Sequence, residues 1–242
     1  GGSRRSSGPV DRAMEPEVLA ARRAAASRAV EVVLSSGKVI LGLGTGTTVA
    51  TFVEVLTEAG ASGSIEAVVP SSRQSEELAR RAGMRVASLA DFPELDVYVD
   101  SFDQVDLRGN SVKGGGAAHA REKVLMAASR RVVLVGDHLK LRDRLTGPVP
   151  VEVLPFAVDF LLRSFASKGL RPELRHSGKG KVGPVVTENG NFLIDIYPDE
   201  IRDPAALEAE LKLMPGVVEV GICPNRGYTV FVGRPDGSVI EL

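Results

Sequence analysis

Between Pro16 and Lys140, short β-branched runs alternate with helix-forming segments, and this limits the fold more than any other feature of the chain. The stretch from Pro16 to about Leu34 is rich in Ala and Arg and lacks glycine, which predicts a helix. Lys38–Leu43 is a short apolar run bounded by glycines, as a buried strand would be. Val49–Ala59 and Gln74–Ala82 read as helices. Ile65–Val69, Arg85–Ala87, Val97–Val99 and Val132–Val135 read as strands. Such alternation predicts a doubly wound, mostly parallel α/β sheet. Ligands of these sheets sit beyond the carboxyl ends of the strands. The loops after Leu41 and Val99, and Gly136–Lys140, all fall there.

The pattern changes near Pro148-Val-Pro150. Glu152–Lys168 reads as one helix, and the basic stretch Arg175–Gly183 as solvated surface. Phe192–Ile196 reads as a strand entered through an Asn189-Gly190 hairpin turn. Asp203-Pro204 opens a helix that runs to about Leu213, with strands expected at Val217–Ile222 and Tyr228–Val232. The expected organisation is a main α/β unit of residues 16–150 plus 223–242 and a smaller α+β unit of 151–222. Residues 1–15, polar and rich in Gly, Ser and Arg, are expected to be a flexible tail or an expression remnant.

Charge and composition exclude several classes of function. Lys+Arg number 30 and Asp+Glu 31 among 242 residues, so no basic field points to nucleic acid or an anionic membrane. Any phosphate site must therefore be local. Cys223 is the single cysteine, which excludes an internal disulfide, and no Cys/His spacing resembles a zinc site. No apolar run approaches the ~20 residues of a membrane span. The expectation is a cytoplasmic protein without a metal.

Two loops carry the chemistry. Gly42-Leu-Gly44-Thr-Gly46-Thr-Thr48 follows a strand, but the third glycine of a dinucleotide fingerprint would fall at Thr47, and no P-loop lysine follows. What remains is a tight turn into a helix N-terminus, where Thr45, Gly46, Thr47 and Thr48 offer amides and hydroxyls to a monophosphate. The plainer alternative makes Thr48 a helix cap and the glycines packing positions. In the second loop, Asp100, Asp103, Lys113 and Glu122 surround Gly114-Gly115-Gly116. Acid, base, cation and bare amides together suit proton movement on a small anionic sugar.

These residues, with Pro70-Ser-Ser-Arg-Gln-Ser75, Lys113-Gly-Gly-Gly-Ala-Ala-His-Ala-Arg-Glu-Lys123, Pro150-Val-Glu-Val-Leu-Pro155 and Met214-Pro-Gly-Val-Val218, resemble the type A ribose-5-phosphate isomerases from about residue 17 onward. The resemblance implies an α/β domain with a smaller α+β domain. It also implies a homodimer or homotetramer and cofactor-free interconversion of ribose 5-phosphate and ribulose 5-phosphate. Glu122 then matches the catalytic base, and Asp100, Asp103 and Lys113 match polar residues around the sugar. Thr45–Thr48 match the phosphate loop, Lys140 matches a further substrate lysine, and the Gly114–Gly116 amides offer donors to the substrate. Arg22 or Arg23 is the expected stand-in for a lysine the family often carries on its first helix. A position near a helix start would lower the pKa of Glu122 and burial would raise it.

One segment departs from the family. Where relatives usually read Asp-Gly-Ala-Asp-Glu, this chain reads Asp100-Ser101-Phe102-Asp103-Gln104. Ser101 and Phe102 are expected to reach the substrate, with Phe102 narrowing the pocket. The changes leave open an altered substrate, weakened catalysis, or a protein that binds or senses a sugar phosphate.

Overall fold

A computed structural model describes residues 15–242; the expected tail, apart from Glu15, lies outside the described residues. The first helix, α1 (Pro16–Ser35), has Pro at its first position and buries a face of Ala21, Ala25, Ala26, Ala29 and Val33. Small side chains let it pack closely against α2 (Thr47–Glu58). The main sheet runs β14 (Val239–Glu241), β13 (Thr229–Gly233), β6 (Ser129–Asp137), β3 (Leu95–Ser101), β1 (Val39–Leu43), β2 (Ile65–Pro70). All its pairings are parallel except β13 with β14 at the edge. Helices α1, α2 and α3 (Arg73–Arg81) and α4 (His119–Ala127) complete the wound unit. Apolar cores lie on both faces of the sheet, one centred on Phe52, Leu41 and Val99, the other on Tyr98, Phe102 and Leu134. Continuous burial of Val39–Leu43 reflects a central parallel strand covered on both faces.

Register brings the catalytic loops together. Leu43 pairs with Val99, and Ser101 with Val135, so the carboxyl ends of β1, β3 and β6 finish side by side. The Gly44 N–H continues the ladder to the Val99 carbonyl at 2.9 Å. Residues after Arg226 return to this sheet, with β13 parallel to β6.

A second sheet is antiparallel, in the order β11 (Val217–Val220), β8 (Val149–Val153), β10 (Phe192–Ile196), β9 (Glu173–Leu174). Helices α5 (Val158–Ser167) and α6 (Pro204–Lys212) pack on it around Leu161, Phe165 and Leu211. A third small sheet, β12 (Ile222–Cys223), β5 (Ser111–Val112), β4 (Gln104–Asp106), β7 (Leu141–Arg142), joins the segments around the site.

Three local expectations are corrected. Glu152–Lys168 is not one helix: Val149–Val153 is a strand between β11 and β10, and the helix begins at Val158 after a 3-10 turn at Pro155–Ala157. Valines at 149, 151 and 153 suit a fully buried strand, and cross-strand pairing decides where periodicity alone is ambiguous. The Asn189-Gly190 turn forms, with Gly190 at φ +77°, but β10 pairs with β8 and β9, so it closes no two-residue hairpin. Arg85–Ala87 contributes only a single bridge, Val86 to Val68.

Candidate active site

The first loop owes its shape to two glycines. A Cβ on Gly44 would overlap the Asp100 carboxylate, and Gly46, at φ +118°, lies where side chains are disfavoured. Gly46 caps α2 without any side-chain bond, so Thr48 is not the cap; its hydroxyl is buried and unpartnered. Thr45 is held by Ser71 at 2.8 Å and Ser72 at 2.7 Å, and Thr47 accepts from Arg22 at 3.1 Å. The Gly46 amide donates to Gln74 at 2.7 Å. Among the described residues, the Thr47 and Thr48 amides have no acceptor, which leaves the first turn of α2 free for an anion.

The second loop builds a buried charge cluster. Lys113 Nζ lies 2.9 Å from Asp100 Oδ2 and 3.4 Å from Glu122 Oε1, and it also donates to the Ser101 carbonyl. Asp100 is fully buried and saturated: Tyr98 Oη donates at 2.5 Å, Ser101 N at 2.6 Å and Thr45 N at 3.3 Å. Tyr98 reaches it because residues two apart on β3 share a face. Glu122, 4 % exposed in the first turn of α4, also accepts from Thr45 N at 3.2 Å. Asp103 stands outside the cluster and accepts from the Gly115 amide at 2.8 Å.

Two buried carboxylates sharing one ammonium set the electrostatics. Burial, then the Asp100 charge, push Glu122 up to about 8, with Lys113 opposing. Burial disfavours the charged form of Lys113, but Asp100 and Glu122 outweigh it and hold the ammonium well above its ordinary range. Lys140 is drawn down by burial and by Arg22 and Lys113, against Asp137 and Asp103. His119 is buried, lowered to about 4 chiefly by desolvation, and bound to the Glu219 carbonyl at 3.0 Å; it is a neutral packing group.

A cavity of ≈ 120 Å³ lies between the two loops. Every residue lining it is one the sequence singles out: Thr45–Thr48 on one side, Lys113–Gly116 and Glu122 on the other, and Ser101, Asp103 and Lys140 between. Two sequence candidates do not line it. Asp100 sits behind Lys113, fully buried and paired with its ammonium, and touches no open space. Phe102 does not narrow the pocket; it is 1 % exposed and turned into the core against Gly136, where any Cβ would strike the ring. Gln104 is also accounted for, because its amide donates to the Thr146 carbonyl at 3.0 Å and accepts from the Thr146 N–H at 3.1 Å. A carboxylate accepts only and would leave that carbonyl unpaired.

Of the two arginines the sequence offered on the first helix, Arg22, and not the half-buried Arg23, is the buried cation, pairing with Asp137 at 3.4 Å. Sequence reasoning missed one group. Arg175 was expected in solvent but is 19 % exposed and bound to Asp195 at 2.6 Å. No local signal separates Arg175 from the many arginines on the surface. Among the described residues, no group of three His, Cys, Asp or Glu is placed to hold a metal, and no helix is long and apolar enough to cross a membrane.

Comparison with known proteins gives a consistent result. The profile of the family described as Ribose 5-phosphate isomerase A (phosphoriboisomerase A) matches residues 67–237. Ribose-5-phosphate isomerase A of Methanosarcina acetivorans is 43% identical over 225 residues, covering 93% of each chain. That of Archaeoglobus fulgidus is 44% identical over 204 residues, covering 82% of this chain and 88% of its own. Among solved structures, a D-ribose-5-phosphate isomerase in complex with phospho-erythronic acid superposes with a TM-score of 0.86 at 36% identity, covering 93% of this chain and 98% of its own. The Methanocaldococcus jannaschii protein gives 0.83 at 31%, covering 91% and 98%.

Proposed function

Because this chain belongs to the ribose 5-phosphate isomerase A family, we propose that the cavity between its two loops interconverts ribose 5-phosphate and ribulose 5-phosphate by proton transfer at Glu122. The observation that carries this reading is the placement of Glu122. It is a buried carboxylate with a raised pKa, opening onto a cavity whose far wall is a helix N-terminus. Aldose–ketose exchange moves a proton between adjacent carbons through an enediolate, and one carboxylate can remove it from C2 and return it to C1.

The remaining groups take roles set by their contacts. The substrate phosphate occupies the first turn of α2, taking the free Thr47 and Thr48 amides and the unpartnered Thr48 hydroxyl, with Lys140 neutralising charge. Lys113, held charged by Asp100, donates to the oxygen that becomes negative. Asp103 binds a sugar hydroxyl and assists proton exchange between oxygens. Ser101 adds a hydroxyl at the rim. Anchoring the phosphate away from the reacting carbons orients them against Glu122.

The assembly proposed is a homodimer or homotetramer. Leu154, Phe156, Phe160 and Leu213 are exposed on the small antiparallel unit, and a monomer leaves them in water. The free, buried thiol of Cys223 fits the reducing cytoplasm proposed as its setting. The test of function is a coupled assay of ribose 5-phosphate conversion without added metal or cofactor, run beside Glu122→Gln. Turnover in the wild type that disappears in the variant supports the reading. A folded wild type without turnover overturns it.

A further inference from the structure

The loop Gly114–Gly116 supplies amides to the cavity, and two of its three carbonyls are held by a residue outside it, the Gly114 carbonyl also accepting from the Ala117 N–H at 3.0 Å. Arg175 follows β9 and is fixed in the small antiparallel sheet by Arg175 N to the Leu193 carbonyl and Val185 N to its own carbonyl, both at 2.9 Å. Its guanidinium grips Asp195 with two bonds, at 2.8 and 2.6 Å. The remaining nitrogen, Nη1, donates to the carbonyls of Gly114 at 3.1 Å and Gly115 at 3.2 Å. In a trans peptide the C=O and N–H point in opposite directions. Holding the Gly115 carbonyl on the Arg175 side therefore turns the Gly116 N–H the other way. That N–H has no acceptor among the described residues, and Gly116 lines the cavity, whereas the Gly115 N–H is already taken by Asp103.

We infer that Arg175 is a positioning residue, contributed by the small sheet, that aims the Gly116 amide at the enediolate oxygen and turns two carbonyl dipoles away from it. The inference rests on the isomerase reading. Asp195 completes the device by fixing the guanidinium plane, because a planar fork held at two nitrogens leaves the third pointing in one direction. A lysine cannot reproduce it, since one ammonium cannot bond both Asp195 oxygens and both carbonyls in that geometry.

The test compares wild type, Arg175→Lys and Arg175→Met in three measurements: turnover of ribose 5-phosphate, competitive inhibition by inorganic phosphate, and binding of phospho-erythronic acid. The carboxylate of that acid stands in for the enediolate oxygens. Expected in both variants is a fall in kcat of about 10²-fold, the scale of a misaligned reacting geometry. Phospho-erythronic acid should bind more weakly by a similar factor, while inhibition by inorganic phosphate stays unchanged. Unaltered kcat and analogue binding in folded Arg175→Lys overturn the inference, as does equal weakening of both inhibitors, which marks general loosening. Failure of the isomerase reading looks different, as a wild type without turnover. Analogue binding then still decides whether Arg175 orders the loop.

Discussion

Replacing Glu122 with Gln should remove most of the activity and at the same time stabilise the fold, in a pH-dependent way that the charge cluster dictates. The carboxyl titrates near an ordinary 4.5 in the unfolded chain and is pushed up to about 8 in the fold, first by burial and then by Asp100. Between those pH values the folded state holds one more proton than the unfolded state, so stability falls as pH rises and the loss is complete above about 8. At pH 7, about 2.5 pH units above the unfolded value, the opposing free energy is about 3 kcal/mol. Glutamine keeps the shape and an acceptor for Thr45 N but gives up the charge-assisted contact with Lys113, a loss of about 1 kcal/mol. The variant should therefore be about 2 kcal/mol more stable at pH 7, with a larger gain at pH 8 and almost none at pH 5. Urea denaturation at pH 5, 6, 7 and 8 measures this, beside a kcat loss of roughly 10²–10⁴-fold. A stability difference that stays constant across that range would show that Glu122 is already ionised in the fold and would refute the reasoning.

Three further outcomes follow from the same geometry. In the wild type, kcat/KM should rise with pH and level off above about 8, because the base works only when deprotonated; a plateau already present at pH 6 contradicts the raised pKa. Thr48→Val removes a buried hydroxyl that has no partner among the described residues, so stability should hold or improve while inhibition by inorganic phosphate weakens about tenfold. Unchanged phosphate affinity would take Thr48 out of the anion site. Phe102→Ala should cost about 3–5 kcal/mol in denaturation experiments and leave KM for ribose 5-phosphate unchanged, since the ring fills core against Gly136. A changed KM in folded protein would return Phe102 to the pocket.

The sequence alone determined the wound α/β unit and the lining of the cavity. Hydrophobic runs of strand length between helical segments admit few other folds, and a parallel sheet must place its loops at one edge. Thr45–Thr48 and Lys113–Glu122 were legible because each is a short segment whose residue types and spacing already carry the chemistry. Tertiary structure alone decided what each polar group faces. Asp100 and Asp103 are three residues apart, the first on the end of β3 and the second in the turn after it, yet one is sealed behind Lys113 and the other opens onto the cavity. Burial also decided the protonation of Glu122, because a desolvation cost depends on which chains cover the carboxyl and not on its neighbours in sequence. Phe102 turned inward because Gly136, 34 positions later on the adjoining strand, leaves room for its ring. Long-range pairing likewise decided the arginines: Asp195 selects Arg175, which composition cannot tell from the rest, and Asp137 selects Arg22 over its neighbour Arg23.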